Sequence, residues 1–438
     1  MTNLAVSAPA TEAPDAHPPI TTRQVAAGVI GNALEFYDFT TYAFFAVQIG
    51  DAFVPGQSAF AKLMLSLAAF GAGFILRPVG ALVIGHYADR AGRRPAMLLS
   101  FGLMGVSILG LALTPGYRTI GLAAPVLVVF WRLCQGFALG GEVGPTTAFL
   151  VEGAPLARRG LYGAWQGASQ NMASIVGGSV GFIIASVAGT EALAAWGWRA
   201  AFLLGAVVLP FGLILRRSLP ETLHRHETSS AHHPDQATLL AHLRPILLGL
   251  ALVASTTVST YLGNFMTTYA KTTLHMSAGS SLSASIANGA AGVIGGLLGG
   301  FLSDRFGRKA LMIWPRVAFL AAIWPAFFLM VRDHDSVTLL GGTACLAFLG
   351  SLSTAAIFVG IIESLRKEVR GLAMGGLYAI AVAVFGGTTQ PVIAWFTHAT
   401  GDPMFAAWYV MAATVVGLIA SLLMKETAPS WRPRGFAP

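Results

Sequence analysis

Apolar residues occur in long runs along nearly the whole chain, each about 18 residues or more, the length a helix needs to cross the hydrocarbon core of a bilayer. The runs fall near 22–50, 59–86, 95–113, 121–151, 161–189 and 196–217, then 243–270, 280–303, 310–332, 336–365, 372–399 and 403–425. They predict an all-α integral membrane protein of twelve transmembrane helices in two pseudo-symmetric six-helix halves, 22–217 and 243–425. Polar residues collect outside the halves. An Ala- and Pro-rich start (1–21) has no basic stretch and reads as a disordered tail. A Ser- and His-rich stretch (218–242) reads as an interdomain loop, and 426–438 as a second tail. The five histidines of the loop are irregularly spaced and read as solvated, not as metal ligands.

Composition sharpens this picture. The 438 residues are 55% hydrophobic and 11% charged, with mean hydropathy +0.68. Soluble domains carry about 25% charged residues. The net charge of +8 would point to nucleic acid in a soluble protein, but its placement says otherwise. With both termini cytoplasmic, nineteen of the 27 basic residues fall on inside segments; only Lys62, Arg118, Arg199, Lys271 and Arg332 fall outside. That is a strong positive-inside bias, so the partner it implies is the lipid bilayer and no nucleic acid. Cys134 and Cys345 both sit in apolar segments and imply no disulfide framework and no metal.

The chain repeats itself. GHYADRAGRRP (85–95) returns as GFLSDRFGRKA (300–310) after the second span of each half. VEGAPLARRG (151–160) aligns with IIESLRKEVRG (361–371), and PET (220–222) echoes KET (425–427). Two halves with matching internal loops are the mark of a duplicated transporter.

Charges inside spans are costly and point to function. The first span carries Glu35 and Asp38 within a turn of its centre, three apart and on one face. Arg132 in the fourth span lies close to the depth of Asp38, at about 1.5 Å of rise per residue. Glu35, Asp38 and Arg132, with Glu142 further along the fourth span, therefore read as a proton-coupling set, with protonation releasing the arginine, and Arg132 reads as a substrate contact as well. A deeper pair, Arg77 and Glu142, shares a second depth. Arg77 precedes Pro78, where a helix can kink, and reads as a carboxylate anchor. Arg316, six residues into the ninth span, reads as snorkelling to the membrane interface. Uncharged polar residues add a lining. Gln166 and Gln170 are four apart with Asn171 beside them, and Thr256, Thr260, Asn264 and Thr268 form a stripe flanked by Ser259 and Tyr261. Tyr42 is a further lining candidate. Such a set of donors suits an anion with several carboxylates.

The G-x-x-x-D-R-x-G-R loops, together with RLCQGFALGGEVG (132–144), resemble the signatures of the major facilitator superfamily. GNALEFYDF (31–39), RPVGA (77–81) and WGWRAAF (196–202) are similar to its metabolite:proton symporter branch. The stretch 60–95, TPGYRTIGLAAPVLVV (114–129) and WQGASQ (165–170) are most like bacterial citrate and tricarballylate proton symporters. The likeness runs over roughly 22–425. It implies a central cavity faced by the first and fourth helices, and symport of a di- or tricarboxylate with protons across a bacterial inner membrane. The chain is expected to act as a monomer, driven by the proton gradient without a cofactor. It implies that Gly85, Asp89, Arg90, Gly92 and Arg93, with Asp304, Arg305, Gly307 and Arg308, form latches holding the halves together, with Glu152 and Glu363 as acidic partners. Citrate-type carriers tend to show Gln where this chain has Phe36, and Arg where it has Lys271, which keeps a cation but not a bidentate fork. Other cargoes in this branch are 2-oxo acids, shikimate-like acids and betaine-type osmolytes. Osmolyte carriers often end in a long charged helix, whereas this chain ends in SWRPRGFAP. Proton-driven drug efflux favours a more apolar cavity. An enzyme is disfavoured: there is no H-E-x-x-H and no paired Cys/His set.

Overall fold

The computed structural model describes residues 22–56, 58–91, 93–140, 150–151, 153–217, 243–365 and 367–428. The predicted N-terminal tail, the interdomain loop, Gly92, Glu142 and Glu152 lie outside the described residues, as do the side chains of Asp89 and Arg93.

Among the described residues the helices group into twelve successive rods. α1 is Thr22–Phe44, carried on past Phe45 by Ala46–Phe53. α2 is Ala59–Ile75, carried on by Arg77–Ala91. α3 is Arg93–Leu113, α4 Ala123–Leu139, α5 Arg159–Val187 and α6 Trp198–Arg217. In the second half, α7 is Leu243–Thr272, α8 Ala278–Phe306, α9 Arg308–Asp333 and α10 Ser336–Ser364. α11 runs Lys367–Ala381, through a π-helical Val382–Gly386, to Gly387–Thr400; α12 is Phe405–Leu423. Among the described residues, eight helices are long and apolar enough by themselves to cross a membrane. Large apolar side chains such as Leu82, Val126, Trp314 and Val337 remain exposed on the outside, as lipid-facing positions do.

The predicted spans match these rods to within a few residues at most ends. The expected kink at Arg77-Pro78 is present: α2 breaks at Leu76, whose carbonyl accepts from Gly80 N. The breaks at Phe45 and at the π-turns of 193–197 and 382–386 leave no mark in the apolar pattern, because every residue there is as apolar or small as its neighbours.

Glycine sets how closely rods approach. Without a hydrophobic driving force between helices in lipid, small residues that let backbones meet are what packs them. α2 and α4 touch backbone to backbone: a Cβ on Gly136 would collide with Gly73 O, and one on Gly80 with Phe137 O. The two halves meet along α5 and α8. A Cβ on Gly300 would lie 2.6 Å from Gly160 O, and one on Gly289 2.6 Å from Asn171 O. On the opposite side, a Cβ on Gly71 of α2 would lie 2.7 Å from Gly387 O of α11. Near that end Phe60 stacks on His398 with ring centroids 3.7 Å apart.

Candidate functional site

The first half holds a sealed ion pair. Arg132 Nη1 lies 3.3 Å from Asp38 Oδ2, and both side chains are wholly inaccessible. Nη1 also donates to Gln135 Oε1 at 2.7 Å, so the R-x-x-Q spacing on α4 presents a cation and its acceptor on one face. Aromatic rings close the rest. The guanidinium lies 4.3 Å from the centroid of Phe39, 4.5 Å from Tyr42 and 5.3 Å from Phe70. Asp38 Oδ1 and Arg132 Nε and Nη2 find no hydrogen-bond partner among the described residues. A buried pair satisfied on one side only is poorly compensated for its desolvation. Glu35 is buried one turn away on the same helix.

Arg77 is buried beside this pair. Its guanidinium lies 4.4 Å from both the Phe39 and Phe74 rings, so Phe39 contacts two cations at once. Arg77 Nε and Nη2 have no partner among the described residues. Its predicted partner Glu142 is not described.

Between the halves lies a cavity whose lining includes many hydroxyl and amide side chains. Of the predicted lining, Gln170, Asn171, Thr256, Thr260 and Asn264 all face it. Ser259 and Tyr261 join them, as do Asn288 of α8, Tyr378 of α11 and Arg316 of α9. Tyr261 connects cavity and ion pair: its ring packs edge-on against Phe74 at 5.4 Å and Phe70 at 6.0 Å. Those two rings in turn contact Arg77 and Arg132.

Other predicted lining residues sit elsewhere. Gln166 does not face the cavity. It donates to Asn32 Oδ1 at 3.1 Å, while Asn32 Nδ2 donates to Ser169 Oγ at 2.6 Å. Asn32 Nδ2 also donates to the backbone carbonyl of Gln166 at 3.2 Å, and these bonds tie α1 to α5. Tyr42 is fully buried, and its hydroxyl donates to Ser66 O. Thr268 donates to Ala43 O across to the first half. Lys271 is half-buried at the end of α7 near Asp51, away from the cavity lining. Arg132 belongs to the sealed pair rather than to the wall. The snorkelling expected of Arg316 does not occur. It is buried, and donates to Gly417 O, Ser421 Oγ, Leu252 O and Thr256 Oγ1. Those acceptors on α7 and α12 hold the head in place, so the side chain has no need to reach the interface.

The latch prediction brings three residues together. Asp304 Oδ1 and Oδ2 accept from Gly160 N (2.7 Å) and Leu161 N (2.9 Å), capping the start of α5 from the other half. A carboxylate at a helix N-terminus meets free N–H groups and the positive end of the dipole. Arg308 donates to Asp304 Oδ1 at 2.6 Å and to Glu363 Oε2 at 3.3 Å. Gly307 holds φ +95°, a left-handed turn from α8 into α9 that suits glycine. Arg305 and Arg90 are exposed, and a side chain at Gly85 would meet open space.

The network also takes in Glu426, which sequence reading reached only as the KET echo. Its carboxylate accepts from Arg308 N and Lys309 N, while Thr427 Oγ1 donates to Glu363. Burial works against the Glu426 carboxylate, but the N–H groups of Ala428, Lys309, Arg308 and Thr427 outweigh it and hold its pKa below the ordinary Glu value. Its contribution is thus complete above the ordinary Glu range and is lost as pH falls through the lowered value.

Asp304→Asn is expected to open this end. Losing a charged acceptor of two amides and a buried arginine costs about 2 kcal/mol or more, at least about tenfold in population. Spin labels at exposed Leu156 and Phe306 should show a longer distance distribution in the variant; an unchanged distribution would remove the latch role.

The arrangement is that of a membrane transporter, with a cavity lined by hydroxyl, amide and aromatic side chains between two helical halves. Residues 28–296 and 248–438 match the Major Facilitator Superfamily, and the chain belongs to that family. It is 37% identical over 396 residues to a citrate-proton symporter of Klebsiella pneumoniae, covering 89% of each chain. It is 31% identical over 420 residues to a proline/betaine transporter of Salmonella typhimurium, covering 93% of this chain and 84% of that protein. A crystal structure of a D-xylose-proton symporter superposes with TM-score 0.70 at 20% identity, covering 93% of this chain and 98% of that one.

Proposed function

We propose that this protein is a proton-coupled symporter that imports a di- or tricarboxylate by alternating access. The bacterial inner membrane is its place, both termini are cytoplasmic, and it works as a monomer. The observation that carries this reading is the pairing of a cavity rich in hydroxyls and amides with a sealed Asp38–Arg132 pair next to it. Asp38, with Glu35 near it, takes the proton. Arg132 then loosens from Asp38 and shifts against Phe70, whose ring packs on Tyr261 at the cavity wall. Arg77, with two guanidinium nitrogens unpartnered among the described residues, anchors a substrate carboxylate, and Gln170, Asn171, Thr256, Thr260 and Asn264 supply further donors. The 37% identity to a citrate-proton symporter supports both the carboxylate and the proton. Phe36, Phe358 and Tyr378 also line the cavity, which favours a betaine-type zwitterion as the second reading, since aromatic faces attract quaternary ammonium groups.

The test is uptake into liposomes with the outside made acidic. Labelled citrate, tricarballylate, 2-oxoglutarate and glycine betaine are compared, with and without a protonophore. Concentrative citrate or tricarballylate uptake that collapses with protonophore is the expected result. Betaine uptake with no acid transported would overturn the substrate class.

A further inference from the structure

Arg316 has no role in the reading above, yet it is the cation that the second half presents to the cavity wall. It is 4% exposed and forms no ion pair with any described residue. Two of its acceptors are backbone carbonyls, Gly417 O at 2.7 Å and Leu252 O at 3.2 Å. The other two are hydroxyls, Ser421 Oγ at 2.6 Å and Thr256 Oγ1 at 3.1 Å. These neutral dipoles hold the guanidinium but do not cancel its charge. Thr256 and Arg316 both face the cavity.

We infer that Arg316 is the second-half anchor for one carboxylate of the substrate, and that substrate selectivity follows from a clamp of two arginines, one from each half. This rests on the carboxylate reading above. Arg77 of the first half is not itself a lining residue but lies just behind the wall, over Phe74, whose ring packs on Tyr261, and with its side chain against Tyr378. Arg316 reaches the wall at Thr256, five residues earlier on α7. Five residues of helix rise about 7.5 Å, so the two cations meet the wall at different depths, which suits a molecule with two carboxylates on a short carbon chain. A carboxylate arriving beside Thr256 exchanges a neutral acceptor for a charge-assisted, stronger one. A ligand gripping both cations bridges the halves, so binding favours the state in which they close around it. A ligand with one carboxylate grips only one half and leaves the other cation uncompensated, which discriminates against it.

The experiment measures competition against labelled citrate uptake by a ladder of acetate, succinate and tricarballylate, in wild type, Arg316→Gln and Arg316→Lys. Wild type should rank the ladder steeply by carboxylate number. Arg316→Gln should raise the KM for citrate at least about tenfold, matching the loss of one charge-assisted contact, and flatten the ladder. Arg316→Lys should restore part of both. Citrate should raise the melting temperature of wild type in detergent and not that of Arg316→Gln. If Arg316→Gln does not fold, Arg316→Lys and Thr256→Val carry the test through the ladder. An unaltered KM and ladder in folded variants, with only lowered stability, would make Arg316 a tie between α7, α9 and α12 and overturn the clamp. A wild-type protein that takes up no carboxylate would overturn the functional reading itself, and is told apart by its failing before any variant is compared.

Discussion

Asp38→Asn is expected to abolish concentrative uptake while leaving the protein folded. The carboxylate is wholly buried, 3.3 Å from Arg132, and no described group reaches its second oxygen. Asparagine keeps the shape and one acceptor but holds no exchangeable charge. Arg132 then sits permanently as it does beside a protonated acid, and the proton step has nothing to act on. Proton-driven accumulation should therefore be lost, and removing one partner of a buried pair also costs about 3 kcal/mol or more. Part of that cost falls on stability, because an uncompensated guanidinium stays buried among Phe39, Tyr42 and Phe70. The double variant Asp38→Asn with Arg132→Gln separates the two effects. It should recover melting temperature in detergent and recover no coupling. Asp38→Glu, which keeps the charge, should retain part of it. Protonophore-sensitive accumulation at the wild-type rate in Asp38→Asn would remove Asp38 from the coupling step.

Fold was the more legible part of this chain. Apolar runs report spans directly, because lipid forbids exposed backbone polar groups and leaves the helix as the economical solution. The two signature loops then gave the duplication. The site was legible where one helix carried the signal. Thr256, Thr260 and Asn264 share a face at intervals of four, and that face is the cavity face. Asp38 and Arg132 were matched by depth, and depth sufficed because both point to the same first-half core. It failed where rotation about a helix axis decides the outcome. Gln166 and Gln170 are four apart, yet Gln170 faces the cavity and Gln166 turns to Asn32. Arg316 was misread for a different reason. Its acceptors are two carbonyls and two hydroxyls on α7 and α12, and a sequence shows no sign of which carbonyls a distant helix will present. Glu426 hid in a loop that reads as a tail until α9 is placed beside it.

Gly136→Val is expected to have the largest effect on folding. Gly136 closes the R-x-x-Q-G run on α4, and its missing side chain lets α4 lie directly on α2. A Cβ there would collide with the carbonyl oxygen of Gly73, a backbone atom that cannot turn aside. The same seam continues at Gly80 against Phe137 O and at Gly140 against Arg77 O, so no neighbouring slack absorbs the intrusion. Valine forces the two helices apart by the width of a side chain. The arginines go with them, since Arg132 projects from α4 toward Phe39 and Asp38 while Arg77 projects from α2. Overpacking of this kind costs about 3 kcal/mol, and here it also separates a buried ion pair from its aromatic cage. A folded, detergent-stable protein should be scarce or absent, and any that survives should melt well below wild type by size-exclusion thermostability. Gly102→Val on α3 is the control, because a Cβ there meets nothing within 4 Å and valine is no worse a helix former than glycine. Equal melting temperatures for the two variants would show that α2 and α4 do not meet backbone to backbone, and would take away the geometry that sets the depth of both arginines.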